Sequence, residues 1–206
     1  MSANNPNFWG EIRSGKCLLT RRGDVDADFI RSLWALPEFI YAFHRHARPL
    51  PKTNQELKEL LRKEYLATVY ETRALHWIVR DLRGNPFGLL SLVDISFPHK
   101  RAEVLIGVAP GTPSRLALAA MLTLFEFYFR VIRFHKLYSQ IYSDNSHALN
   151  GALNLGFFIE GVLRRHVMDP RSGKFIDLIQ LGLFSDEAFS AKNQRLISKL
   201  LSQHTH

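Results

Sequence analysis

The chain has 206 residues, 46% of them hydrophobic and 22% charged, with 15 Phe, 12 Gly and 9 Pro. That length favours one continuous core over two independent domains, and the apolar content excludes global disorder and a collagen-like fibre. Lysine and arginine exceed aspartate and glutamate by 27 − 19 = 8, a surplus that attracts polyanions such as nucleic acid, a ribosome or a phosphate-bearing coenzyme.

The longest strongly apolar stretch, Leu116 to Phe129, is 14 residues and is interrupted by Thr123 and Glu126, whereas spanning a bilayer needs roughly 18. The opening MSANNPNFWGEIRSGK lacks the apolar run of a secretory signal, and Cys17 has no second cysteine to bridge. A cytoplasmic location without a membrane partner is the expectation.

Residues 16–21 (KCLLTR) read as a strand, after which Asp24 or Asp26 caps a helix to about residue 46, broken at Pro37. Thr53 and Glu56 form a capping box that opens a second helix to about Thr72, with Leu57, Leu60, Leu61 and Tyr65 at helical spacing. Ala74 to Asp81 and Gly88 to Ile95 read as strands joined by a Gly-Asn-Pro turn, and Ala102 to Val108 as a third. A long helix is predicted from Ser114 to Arg133, with Thr123, Glu126, Arg130 and Arg133 forming a narrow polar stripe. Lys136 to Tyr142 is a strand, and Ser146 to Leu155 a short helix closed by Gly156. Phe158 to Met168 and Phe175 to Phe184 form a hairpin, and a polar helix from about 186 to 202 ends the chain. Antiparallel strands with one helical crossover make this a mixed α/β (α+β) domain, expected as a single unit over residues 1–206 with its core at about 16–184.

The run Asn145-Ser146-His147-Ala148-Leu149, followed by Asn154-Leu155-Gly156-Phe157-Phe158-Ile159-Glu160-Gly161-Val162-Leu163-Arg164, resembles the GCN5-related N-acetyltransferases. It is most similar to their Rim-type branch, which acetylates ribosomal-protein N-termini. The resemblance implies a V-shaped, mostly antiparallel sheet, acetyl-CoA as co-substrate and a primary amine as acceptor. A protein N-terminus or ribosomal protein is the favoured acceptor, with a small amine such as an aminosugar or polyamine beside it.

In such enzymes a glycine-rich turn before the long helix holds the coenzyme pyrophosphate through backbone N–H groups. The matching stretch here is Pro113-Ser114-Arg115-Leu116-Ala117, with Ser114 and Leu116 where the glycines belong. The helix N-terminus still offers N–H groups and Arg115 for a phosphate. Val108 and Ala109 are implied to meet the thioester and pantetheine, with the Val108 N–H polarising the carbonyl, and Asn145 to position the pantetheine. Asn145 reads equally as a helix cap.

Glu103 is implied as the base that takes the amine's proton, possible because a carboxylate on a strand can act through water; its ordinary alternative is a solvated strand end. The family's acid tyrosine and serine fall at Ala152 and Ala148, so the proton for the leaving thiolate must come from elsewhere. Ser146 stands first among Ser143, Tyr142 and His147. No metal is expected: His44 and His46, two apart, do not share a helix face. His204 and His206 read as tail. Two other readings remain open, a catalytically degenerate member serving as a binding or regulatory protein, and a basic ribosome- or RNA-associated protein.

Overall fold

In the computed structural model, residues 10–201 are described. His204, His206 and the first nine residues of the segment inspected for a signal lie outside the described residues. The strands are β1 (Glu11–Arg13), β2 (Leu18–Arg21), β3 (Leu75–Arg80), β4 (Pro86–Ser96), β5 (Arg101–Val108), β6 (Lys136–Tyr142), β7 (Phe158–Met168) and β8 (Phe175–Phe184). The helices are α1 (Ala27–Trp34), α2 (Pro37–Phe43), α3 (Asn54–Leu66), α4 (Val69–Thr72), α5 (Ser114–Phe125), α6 (Ser146–Asn154), α7 (Ser185–Ala188) and α8 (Ala191–Leu201).

The strands form one sheet in the order β1-β2-β3-β4-β5-β6-β8-β7. Every neighbouring pair is antiparallel except β5 and β6, which run parallel for only three residue pairs, Arg101↔Lys136, Ala102↔Leu137 and Glu103↔Tyr138. Past Glu103, β5 remains paired to β4 through Val108, and past Tyr138, β6 remains paired to β8 through Tyr142. The sheet therefore opens into a wedge whose apex is Glu103 and Tyr138.

Each face of the sheet buries its own apolar set, because successive side chains on a strand alternate sides. Trp77, Leu90, Leu92, Ala102, Val104, Leu137 and Ile141 pack with α5, whose Ala119 to Phe125 are all buried. Ile78 and Leu89 pack on the other face with Ile30 and Leu33 of α1, Phe39 of α2, and Leu57 and Leu61 of α3. The wedge thus has α5 and α6 on one side and the first three helices on the other.

Several boundaries depart from the expectations above. Strand β1, outside the expected core at 16–184, pairs with β2 as a hairpin. The second helix stops at Leu66, because Thr68 is extended and its hydroxyl accepts from the Glu71 N–H, a second capping box that starts α4. The long helix is α-helical only to Phe125. Glu126–Val131 widens into a π turn in which the Ile132 N–H donates to the Phe127 carbonyl; Phe127, Tyr128 and Phe129 are consecutive and all buried, so the turn presents three adjacent aromatic rings to the core. Thr123 does not belong to a polar stripe: it is buried, with its hydroxyl on the Ala119 carbonyl at 2.7 Å. The C-terminal helix is divided into α7 and α8, and Phe175 is exposed rather than on the core face. Pro37 does break the first helix, starting α2 at its first turn.

Candidate active site

Glu103 stands at the wedge apex, opposite Tyr138 on the same sheet face. The Gln140 N–H donates to its carboxylate, and burial, opposed by that bond but reinforced by the negative charge of Asp94, pushes its pKa up to about 7. Asp94 sits on the bulge of β4 with φ of 45°. Its carboxylate accepts from the Tyr138 hydroxyl at 2.7 Å and pairs with Arg73 and Arg101. A carboxyl group whose pKa is raised to about 7, at the apex of a cleft between two strands, is suited to removing a proton from an ammonium group.

The β5 arm of the wedge offers a main-chain donor. The Ala109 N–H donates to the Phe87 carbonyl at 2.8 Å, which makes these two a hydrogen-bonded pair. Alternation along an antiparallel ladder then leaves Gly88 and Val108 as a non-hydrogen-bonded pair. The N–H of Val108 is therefore directed away from β4, into the gap that β6 has left.

Helix α2 crosses the wedge from one arm to the other. On the β5 arm, Phe39 and Phe43 lie so close over Gly107 that a Cβ there would meet Phe43 at 2.6 Å and Phe39 at 2.9 Å. On the β6 arm, the Arg45 N–H donates to the Tyr142 hydroxyl at 3.2 Å and Asn145 Nδ2 donates to the Ala42 carbonyl at 3.3 Å. The Arg45 guanidinium is buried between the rings of Tyr41 and Tyr142, at 3.8 and 4.2 Å from their centroids. It makes a bidentate pair with Asp144 and reaches Asp169 at 3.7 Å. These bonds hold the carboxyl of Asp144 below its usual range, and hydrogen bonds headed by that from Ser172 lower Asp169 to about 2. One arginine thus ties α2, the β6–α6 turn and the β7–β8 turn into a frame around the wedge.

Asn145 caps α6, its Oδ1 accepting from the Ala148 N–H at 3.1 Å. Ser146 is exposed on the first turn of that helix. Ala109, Ser114, Arg115, Leu116 and Ala117 follow the open end of β5, with Ser114 and Arg115 exposed. Gly111, at φ of 80°, turns the chain between them. Pro113 provides no side-chain cap to α5, and the Leu116 N–H is engaged by the Pro113 carbonyl at 2.8 Å. The first-turn N–H groups of Ser114 and Arg115, with the Arg115 cation beside them, fit a phosphate group.

The structure thus brings Glu103 and Val108 to the same wedge, with the loop from 109 to 117 at its open end and Asn145 and Ser146 beyond its β6 arm. Arg45, Tyr41, Asp144 and Asp169 are not among the residues that the sequence singles out. The spacing of Arg45 from its partners, 97 to 99 positions along the chain for Tyr142 and Asp144, leaves no local signal. Among the described residues no three His, Cys, Asp or Glu side chains gather as a metal site.

A parallel strand pair that splays over a carboxylate, with an uncapped helix N-terminus at its open end, defines a GNAT-type acetyltransferase domain. The acetyltransferase (GNAT) domain family matches residues 18–157, and the chain belongs to that family. Curated relatives are the spermidine N(1)-acetyltransferases of Escherichia coli K12, 30% identical over 114 residues, and of Vibrio cholerae serotype O1, 28% identical over 109 residues. These alignments take in 53% and 52% of this chain and 58% and 61% of the relatives, so the match spans less than two thirds of either enzyme. Among solved structures, the spermidine N-acetyltransferase of V. cholerae in complex with CoA and spermine aligns with a TM-score of 0.70 at 21% identity. That alignment covers 84% of this chain and 98% of the other. The likeness establishes the fold. The relatives named are polyamine enzymes and do not carry the finer resemblance to the ribosomal-protein branch.

Proposed function

We propose that the chain transfers an acetyl group from acetyl-CoA to a primary amine. The observation that carries this reading is the placement of Glu103, with its pKa raised to about 7, at the apex of the wedge between β5 and β6. When bound, the coenzyme supplies an acyl carbon activated by its thioester. The Glu103 carboxylate takes the proton of the attacking amine, directly or through one water. The Val108 N–H donates to the acyl oxygen as negative charge develops there. Ser146, at the start of α6, gives a proton to the departing sulfur. The new C–N bond replaces the C–S bond, and the proton lost by nitrogen is balanced by that gained by sulfur. Ala109, Ser114, Arg115, Leu116 and Ala117 hold the coenzyme's pantetheine and pyrophosphate, and Asn145 orders the turn beside it.

The acceptor favoured is a small amine. The relatives' substrate supports this, as does the crossing of the wedge by α2, with Phe39 and Phe43 over Gly107 and Arg45 bonded to Tyr142. A protein N-terminus, including that of a ribosomal protein, is the alternative acceptor. The absence of a membrane-spanning helix among the described residues is compatible with a cytoplasmic site of action. Release of free thiol from acetyl-CoA, followed with spermidine, a short monoamine and a peptide N-terminus in parallel, tests the reading. Turnover with any of them supports amine acetylation and ranks the acceptors, whereas neither turnover nor acetyl-CoA binding overturns it.

A second reading is favoured by two observations. The Leu116 N–H, in a place where family members present a free glycine N–H, is bound to Pro113, and alanines stand at 148 and 152. Saturable acetyl-CoA binding without turnover on any amine is the result that a degenerate binding protein predicts.

A further inference from the structure

His76, on the same sheet face as Glu103 but toward the β1 edge of the sheet, lines a cavity of about 110 Å³ together with Arg21, Arg22, Glu64, Thr72, Ala74 and Leu75. We propose that this cavity binds a carboxylate or phosphate group, held by the guanidinium groups of Arg21 and Arg22 and by the imidazole of His76.

The cavity carries more positive charge than its own carboxylate offsets. Arg22 pairs with Glu64, the cavity's one carboxylate. Arg21 meets no carboxylate among the described residues. Its hydrogen bonds go to the main-chain carbonyls of Glu64 at 3.2 Å and Ala67 at 2.7 Å, and its guanidinium lies 5.2 Å from the centre of the Tyr65 ring. A half-buried cation satisfied only by carbonyls keeps its charge, and burial without a counterion is costly. His76 Nδ1 lies 2.8 Å from Ser91 Oγ; with that hydroxyl donating, the ring proton is on Nε2 and adds a neutral donor to those of the two arginines. A planar or tetrahedral oxyanion matches such a set, which resembles the forked recognition arginine gives to carboxylate and phosphate.

The position narrows the occupant. His76 pairs with Ser91, and Ser91 with Leu105 of β5, in one row across the sheet. Two strand spacings place His76 roughly 10 Å from the β5 arm of the wedge. The coenzyme's phosphates are expected at the start of α5, past Val108 and so more than three residues along β5 from this row, as well as two strands across the sheet from His76. The anion is therefore either free or the acidic end of an acceptor whose amine reaches Glu103.

Calorimetry with inorganic phosphate and with acetate, on the wild-type chain without coenzyme, tests the site itself. Saturable binding that weakens about tenfold or more in Arg21→Gln, and that survives in Arg164→Gln on the exposed strand β7, supports the proposal. Should Arg21→Gln fail to fold, His76→Gln, which keeps a neutral polar side chain, is expected to weaken binding as well. No saturable binding to the wild type, or equal affinity in the folded variant, overturns it. A second arm rests on the acetyl-transfer reading, as the first does not: KM is compared for an amine bearing a carboxylate and for a neutral amine of equal length. With the first arm positive, a rise in KM confined to the acidic amine in Arg21→Gln identifies the acceptor's own end as the occupant. Unchanged KM values identify a free anion.

Discussion

At the scale of single residues, Glu103 combines an accessible position with an environment that resists its ionisation. Burial is the larger cause, Asp94 adds to it, and the Gln140 N–H only partly relieves it. Because only the carboxylate accepts a proton, kcat/KM is expected to rise with pH through about 7, as far as this group controls it. Glu103→Gln is expected to reduce turnover more than about tenfold while acetyl-CoA affinity, read by calorimetry, stays within error of the wild type. An unchanged rate removes Glu103 from the chemistry. The same raised pKa has a consequence for stability. The folded state holds this proton more tightly than the unfolded chain, so the stabilisation is complete below about pH 4.5 and is lost as pH rises through about 7. Glu103→Gln carries no such burden, and its denaturant midpoint should gain on the wild type between pH 4 and pH 8. Glu103 was legible in the sequence through the family pattern around it. Its high pKa was not, since Asp94 and Gln140 reach it only through a bulge and a splayed strand that spacing along the chain does not reveal.

At the scale of elements, α2 and the turn after it link the two arms of the wedge. Pro37 at the first turn of α2 was a readable start signal, and Thr53 with Glu56 an equally readable start for α3. Thr68 and Glu71 repeat that second signal, yet the apolar spacing running up to Tyr65 hides it, because four residues of α4 are too few to show a period. Nothing local announces that α2 rests on Gly107, where a missing side chain is the signal and the rings of Phe39 and Phe43 fill the space. Gly107→Ala must displace one of those rings, which are themselves stacked at 5.4 Å and backed by Trp34. A loss of about 1–3 kcal/mol is expected from such overpacking. The helix should shift away from β5 and loosen its hold on Tyr142 and Asn145. The amine KM should then rise more than the acetyl-CoA KM, a split that initial-rate kinetics resolves. Equal changes in both would mean that α2 does not border the acceptor path.

At the scale of the whole molecule, the sheet is two antiparallel halves joined by three parallel residue pairs. The order of the longer elements was readable because each carries its own period and stop signals, whereas β1 and α4, at three and four residues, are too short to do so. The splay was not, because it is a consequence of where pairing ends rather than of any residue's preference. So short a seam would not by itself make the halves one unit. What joins them is α5, together with the π turn after it. Their apolar side chains share a core with Trp77, Leu90 and Val104 on one side of the seam and with Leu137, Ile141 and Leu181 on the other. Phe125 is wholly buried there, with ring contacts to Phe129 and to Phe157, which leads into β7. Phe125→Ala should therefore cost about 3–5 kcal/mol, a large part of the stability of an ordinary domain. If α5 is the connection, the loss is felt equally on both sides: amides of β4 and of β8 should lose hydrogen-exchange protection by the same amount, and thermal unfolding should stay a single transition. Loss confined to β6, β8 and β7 would instead show that the halves are held mainly by their own pairing, with the wedge free to open as they move apart.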